Sequence, residues 1–231
     1  MKLLFTVLML IPFLSIAEIN APPVINLIDR LQEGNGWQLK KSFENGFVLY
    51  EKKIEGLKRN AVRISGTLHV NPETIVQVVK DVNNYGSFLS SKNITCEIVE
   101  NTEKYIVGYQ HISARFIKDR HLLFQMYGKT TGEEDSLSEV NWEILSPEKQ
   151  LKDFINDKMI ELNKPKYIKY GAGTWTFETL ENGETSVSYS LYMDPEGWIP
   201  GFLIEKVITY GIKQIFNDVI LEAERREDRT R

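Results

Sequence analysis

The chain has 231 residues, of which 42% are hydrophobic and 26% are charged, and this balance excludes an intrinsically disordered or collagen-like protein. Its formal net charge of −4 gives no overall electrostatic attraction to nucleic acid or to anionic lipid surfaces. Because Cys96 is the single cysteine, an intramolecular disulfide and any zinc site with two thiolate ligands are excluded.

The first 17 residues have the pattern of a secretory signal peptide. Lys2 supplies a positive charge, an apolar run of about 14 residues follows, and Ser15 and Ala17 are small at the positions that signal peptidase reads. The alternative is a membrane anchor, but the run is shorter than the roughly 20 residues that span a bilayer. We therefore expect residues 1–17 to be removed and the protein to be exported, to the periplasm or out of the cell.

The first half of the mature chain predicts two helices and three strands. Residues 22–33 have helical spacing of apolar side chains and stop at the glycines of 34–36. Segments 37–43, 47–54 and 61–70 have the composition or alternation of strands. Asn71 is placed to cap a helix with Pro72 in its first turn, and this helix runs to about residue 82. Residues 83–91 form a polar connector.

The second half predicts six strands and one long helix. The strand-like segments are 94–100, 105–112, 120–130, 137–145, 169–180 and 186–193. Residues 147–166 do not alternate and predict a short helix or flap inserted between strands. Pro200 opens the longest helix, whose apolar positions cover more than half of its circumference. The charged end of the chain, including residues 226–231, predicts a solvated and frayed tail.

This order of elements predicts a single domain of the α+β class. A curved antiparallel β-sheet that wraps around the C-terminal helix would bury the apolar faces of both the consecutive strands and this helix. No linker divides the chain.

Several segments, in this order and spacing, resemble those of START (StAR-related lipid transfer) domains. The segment 192–200 (YMDPEGWIP) resembles the strand–turn–helix that leads into the C-terminal helix of that family. Other matching positions are Trp37, 46–50 (GFVLY), 70–72 (VNP), Asp81, 118–120 (KDR) and 173–175 (GTW). The resemblance covers about residues 22–225, and we assign 18–225 to the START-like domain.

The resemblance implies a helix-grip (Bet v 1-like) fold, in which the sheet and the C-terminal helix enclose an apolar cavity for one lipid. Two departures matter. The family's Arg-Asp pair reads Arg120-His121 here, and the acidic and basic cavity residues of sterol-binding members fall at Tyr109 and Met126. Since Tyr and Met cannot form an ion pair, the family's sterol chemistry is not carried over.

The predicted cavity follows from strand faces that would point at the C-terminal helix. Its polar groups are expected at Tyr109, His111 or Tyr189, and Gly211 suggests a close approach within the helix, where glycine costs about 1 kcal/mol. The full predicted lining is Val107, Tyr109, His111, Phe124, Met126, Trp175, Tyr189, Leu191, Met193, Val207, Gly211 and Ile215. The alternative is that these side chains fill an ordinary core.

The first functional hypothesis is a non-enzymatic carrier or sensor that binds one lipid or other hydrophobic molecule. Segment 147–166 with Trp198, Ile199 and Phe202 is expected to form its gate and a rim that touches membranes transiently. The second hypothesis is a cyclase- or hydratase-like enzyme for an aromatic or polyketide-like substrate, with Tyr109 and His111 as acid and base. The third is an interaction module with a filled core. The sequence contains no recognisable catalytic motif, metal-ligand spacing or phosphate-binding loop, so we expect no cofactor and no nucleic-acid partner.

Overall fold

In the computed structural model, residues 26–113, 117–130, 137–146, 149–197, 199 and 201–230 are described. The predicted signal peptide lies outside this part of the chain. The helices are α1 (Leu27–Gln32), α2 (Pro72–Lys80), α3 (Tyr85–Phe88), α4 (Lys149–Glu161) and α5 (Gly201–Thr230). The strands are β1 (Gln38–Ser42), β2 (Val48–Lys53), β3 (Asn60–Leu68), β4 (Ile94–Asn101), β5 (Ile106–Ile112), β6 (Arg120–Thr130), β7 (Leu137–Ile144), β8 (Lys166–Tyr167), β9 (Tyr170–Thr179) and β10 (Thr185–Asp194).

Local sequence signals account for the start of α2. The side chain of Asn71 accepts a hydrogen bond of 2.8 Å from the backbone N–H of Glu73, and Pro72 occupies the first turn. Asn71 thus satisfies one of the backbone donors that a helix N-terminus leaves unpaired. The connector after α2 is more ordered than predicted, because a short 3-10 helix (Val82–Asn84) leads directly into α3.

The strands form one large curved sheet, as predicted. Nine of them follow the order β1-β2-β3-β10-β9-β7-β6-β5-β4, with each neighbouring pair antiparallel. The short strand β8 pairs with β6 in the parallel sense. We call the face of the sheet that contacts α5 the inner face, and the opposite one the outer face.

The inner face and α5 share the main hydrophobic core. Ile64, Phe177 and Val187 of the sheet are fully buried together with Ile212 and Phe216 of α5. Burial of apolar side chains in such a core makes the dominant favourable contribution to the free energy of folding, roughly 25 cal/mol per Å² of apolar surface buried. The predicted α+β fold, with the sheet wrapped around the C-terminal helix, is confirmed.

The outer face is covered in two places. At one, α1 packs through Leu27 and Leu31 against Ala172 of β9 and Tyr192 of β10. At the other, α4 packs over β5 and β6, where Val107, Tyr109 and Leu123 are buried with Ile155. Strands β5 and β6 are therefore covered on both faces, which has consequences for the site residues.

The prediction of a frayed C-terminal tail is wrong for residues 226–230, because α5 continues through Thr230. Arg226 forms ion pairs of 2.6 Å with Asp81 and 2.8 Å with Glu222, and Glu222 is only 5% exposed. Alternating charges at helical spacing here reflect contacts within α5 and to the end of α2. In the described part of the chain, no helix has the length and apolar character needed to cross a membrane.

Candidate binding cavity

A cavity of about 60 Å³ lies between the inner face of the sheet, α3 and α5. Aromatic and aliphatic side chains make up most of its wall, which consists of Tyr85, Leu89, Ile94, Gln110, Phe124, Met126, Trp142, Trp175, Tyr189, Ile215 and Val219. Among these described lining residues there is no ionisable side chain other than the two tyrosines. The arrangement is suited to an apolar molecule with few polar groups.

Aromatic rings form the floor of the cavity. Trp175 stacks on Tyr189 with ring centroids 4.2 Å apart, and its other contacts include the Phe216 ring of α5 at 5.7 Å. Phe124 and Trp142 meet edge to face at 6.4 Å. Such ring pairs are stabilised beyond the effect of their buried area, so these contacts favour the observed arrangement of the rings.

Glycines make room for two of these rings. The ring of Phe124 lies over Gly108 and the indole of Trp142 lies over Gly173, where an added Cβ would overlap the ring atoms. On both strands the glycine is therefore required by close approach of a neighbouring side chain.

Two polar groups of the wall interact with neighbouring protein groups. The hydroxyl of Tyr85 donates to the backbone oxygen of Val79 at 2.5 Å, and the hydroxyl of Tyr189 lies near Trp142. Burial raises the pKa of both tyrosine hydroxyls, so both remain neutral at physiological pH. The described residues that line the cavity therefore offer no charge to a bound molecule.

One wall of the cavity is the segment 82–92, which contains α3. Tyr85 and Leu89 project from it into the lining, and Ser90 fastens it to α5. The backbone N–H and the hydroxyl of Ser90 both donate to Asp218, at 2.8 and 2.7 Å. Gln214 of α5 adds a third hydrogen bond, of 2.7 Å, to the Ser90 hydroxyl. We call this group of contacts the Ser90 latch.

The structure brings five of the predicted lining residues to this cavity: Phe124, Met126, Trp175, Tyr189 and Ile215. Leu191 and Met193 are half-buried against the core but do not line it. The side chain of Val207 lies outside the described part of the chain.

The placement of Val107, Tyr109 and His111 in the cavity is wrong. These residues share a face of β5, as the alternation predicts, but that face is the outer one. The inner face of β5 carries Gly108 and Gln110 instead. Because α4 covers β5 from outside, both faces are buried, and hydrophobic alternation cannot tell which of them points at α5.

The proposed acid–base pair is separated from the cavity for the same reason. The hydroxyl of Tyr109 forms a 3.1 Å hydrogen bond with Nδ1 of His121, and Nε2 of His111 contacts Asp119 at 3.0 Å. Burial, with a smaller effect of His111, lowers the pKa of His121 to about 4. These groups therefore stabilise the outer face under α4.

Gly211 does not make the close approach that the sequence suggested. Among the described residues, no atom outside the adjoining part of α5 lies within 4 Å of a Cβ built on Gly211, and Gly211 is not among the residues that line the cavity. Helix α4, expected as a gate, covers the outer face instead. Of the expected rim, Trp198 and the side chain of Phe202 lie outside the described residues, and Ile199 is half-buried.

Sequence reasoning missed Tyr85, Leu89, Ile94, Gln110, Trp142 and Val219. The apolar residues Tyr85, Phe88 and Leu89 inside an otherwise polar connector were the available signal. Within the described residues, no group of three His, Cys, Asp or Glu side chains could hold a metal ion.

Comparison with known proteins supports the architecture. No protein-family model matches the sequence, and no curated protein matches it. A STAR-related lipid transfer protein from Xanthomonas axonopodis superposes with a TM-score of 0.64 at 20% identity, over 82% of this chain and 99% of that one. Human StAR-related lipid transfer protein 5 superposes with a TM-score of 0.66 at 15% identity, over 87% and 92%.

At these identities the similarity establishes the fold. The chain has the helix-grip fold of START domains, which confirms the resemblance read from segments such as 192–200. The cavity between the sheet and α5 then becomes the candidate binding site.

Proposed function

We propose that this protein binds one lipid or similar hydrophobic molecule between the sheet and α5, and acts as a carrier or sensor. The observation that carries the proposal is the apolar, aromatic cavity on the inner face of a START fold. The matching proteins from Xanthomonas axonopodis and human are named lipid transfer proteins, which supports the same class of ligand here.

Binding a whole lipid requires this cavity to widen. Its volume of about 60 Å³ is well below the roughly 300–1,000 Å³ of pockets that enclose drug-sized ligands. The sheet is held by continuous backbone ladders, whereas segment 82–92 is joined to α5 through the Ser90 latch. We therefore propose that movement of segment 82–92 away from α5 opens the cavity.

We propose a binding role in preference to a catalytic one. The lining contains no neighbouring acid and base among its described residues, and Tyr109 and His111 face the other side of the sheet. General acid–base catalysis needs such groups within hydrogen-bond reach of the substrate.

Export and membrane contact are also part of the proposal. The sequence of residues 1–17 supports a cleaved signal peptide, and hence a periplasmic or secreted protein. The start of α5, with Trp198, Ile199 and Phe202, remains the proposed membrane rim.

A cavity-filling variant tests the binding proposal. Ile215→Trp places an indole in the cavity from α5, and Leu221→Trp adds the same indole at a position of the same helix that is 54% exposed. Both proteins are incubated with liposomes of total membrane lipid, re-isolated and extracted. We expect the wild type and Leu221→Trp to carry lipid and Ile215→Trp to carry much less. Equal lipid content in all three would contradict binding in this cavity.

A further inference from the structure

Gln110 places a half-buried side-chain amide in the wall of the cavity. It lies on the inner face of β5, between Cys96 of β4 and Leu122 of β6, and lines the cavity. Among the contacts of the described residues, its amide has no hydrogen-bond partner. Because Gln110 is half-buried, water can hydrate its amide in the empty cavity, and a bound molecule that displaces this water must replace the lost hydrogen bond.

The other polar groups of the wall are engaged by the protein. The Tyr85 hydroxyl donates to the Val79 oxygen, and the Tyr189 hydroxyl lies near Trp142, which lowers its pKa against the larger effect of burial. Gln110 is the amide left to meet a bound molecule, and an amide can both donate and accept. One hydroxyl or one carbonyl on the ligand satisfies it.

None of the described residues that line the cavity carries a formal charge. Lys80 of α2, whose ammonium lies beside Gly128 on the inner face of β6, does not line the cavity. Arg120, at the start of β6, does not line it either. Its guanidinium already donates to the backbone oxygens of Lys118, Pro195 and Glu196. A carboxylate or phosphate placed beside Gln110 would lose its hydration without gaining an opposite charge, and this is strongly unfavourable.

We infer that the ligand is uncharged and largely apolar, and that it carries one hydroxyl or carbonyl group that hydrogen-bonds to Gln110. This inference rests on the proposed binding function and restricts its ligand class. Molecules with a charged headgroup inside the cavity are excluded by it.

Three ten-carbon probes distinguish a ligand with a hydroxyl group from one that is wholly apolar and from one that is charged. Binding of 1-decanol, decane and decanoate to the full chain is followed by tryptophan fluorescence, since Trp142 and Trp175 line the cavity. We expect 1-decanol to bind and decanoate, fully ionised at about pH 8, to bind at least tenfold more weakly. This comparison uses the unaltered protein, so it does not depend on any variant folding.

The variant Gln110→Met tests the hydrogen bond itself. Loss of one hydrogen bond should weaken 1-decanol binding about fivefold and leave decane binding unchanged or tighter. The control is Gln125→Met, which changes the same residue type on the outer face of β6 and should leave all three probes unaffected.

Failure of the inference about Gln110 and failure of the proposed binding function give different results. If decanoate binds as tightly as 1-decanol, or if Gln110→Met affects decane and 1-decanol alike, the inference is overturned while the binding function stands. If none of the three probes binds, both the inference and the proposed function are overturned.

Discussion

At the scale of single residues, the packing of the inner face depends on glycines, which leave room for neighbouring side chains. Gly173 lies under the indole of Trp142, and a Cβ there would come within 2.5 Å of its Nε1. That indole is buried and packs edge to face against Phe124, so it cannot shift freely. Gly211 differs, since a Cβ on it meets nothing.

Alanine substitutions at these two glycines should have opposite effects. Gly173→Ala overpacks the core and should lower the free energy of unfolding by about 1–3 kcal/mol. Gly211→Ala replaces a helical glycine without a clash and should raise the free energy of unfolding by up to about 1 kcal/mol. Urea unfolding of both variants checks this, and effects of the same sign would contradict the packing described for Trp142.

His121 makes stability depend on pH. Burial lowers its pKa to about 4, whereas in the unfolded chain it titrates near its ordinary value of about 6.5. As pH falls through this window the unfolded state binds the proton first, so the stability that neutral His121 contributes is present above about pH 6.5 and lost progressively toward pH 4.

The variant His121→Gln should remove this part of the pH dependence. We expect the wild type to lose more unfolding free energy than the variant between about pH 7 and pH 5, by on the order of 1 kcal/mol. Urea unfolding at both pH values measures the difference. An identical loss in both proteins would show that His121 is not held neutral by burial.

For single residues, the sequence indicated which side chains are buried, but not always which face of the sheet they lie on. Phe124, Met126, Trp175 and Tyr189 line the cavity because one face of their strands is mostly apolar and meets α5. Gln110 was missed because a polar residue on β5 looks solvent-facing until α4 is known to cover the opposite side.

At the scale of elements, the boundaries of most strands follow from alternation and turn residues. Strand β6 was predicted at its observed limits, and β9 and β10 within one residue at each end. The position of α4 was not predictable in this way. An amphipathic segment shows that it covers a surface, but nothing in its own sequence says which surface.

The Ser90 latch yields a prediction about segment 82–92. Ser90→Ala removes the hydroxyl bonds to Asp218 and Gln214 and should increase hydrogen exchange at the backbone amides of residues 85–92 about fivefold. The matched control is Ser87→Ala, since that hydroxyl contacts only the backbone oxygen of Asn84. Equal exchange in both variants would mean that the latch does not hold this wall.

At the scale of the whole molecule, helix and strand order indicated the fold class, and the resemblance supplied the enclosing arrangement. At the C-terminal end of the chain, composition alone does not show whether the charged residues are helical. Residues after Glu222 are highly charged, yet α5 continues through them to Thr230. Arg226 forms ion pairs with both Glu222 and Asp81. The cavity volume also could not be predicted, because it is the small difference between large packed volumes.

The central claim is that one hydrophobic molecule occupies the space between the sheet and α5. Native mass spectrometry of the full chain, expressed in cells and purified gently, tests it most directly, and the same spectrum shows whether residues 1–17 have been removed. We expect one uncharged, largely apolar molecule bound to each chain. A bare mass that stays bare after incubation with membrane lipid extract would contradict it.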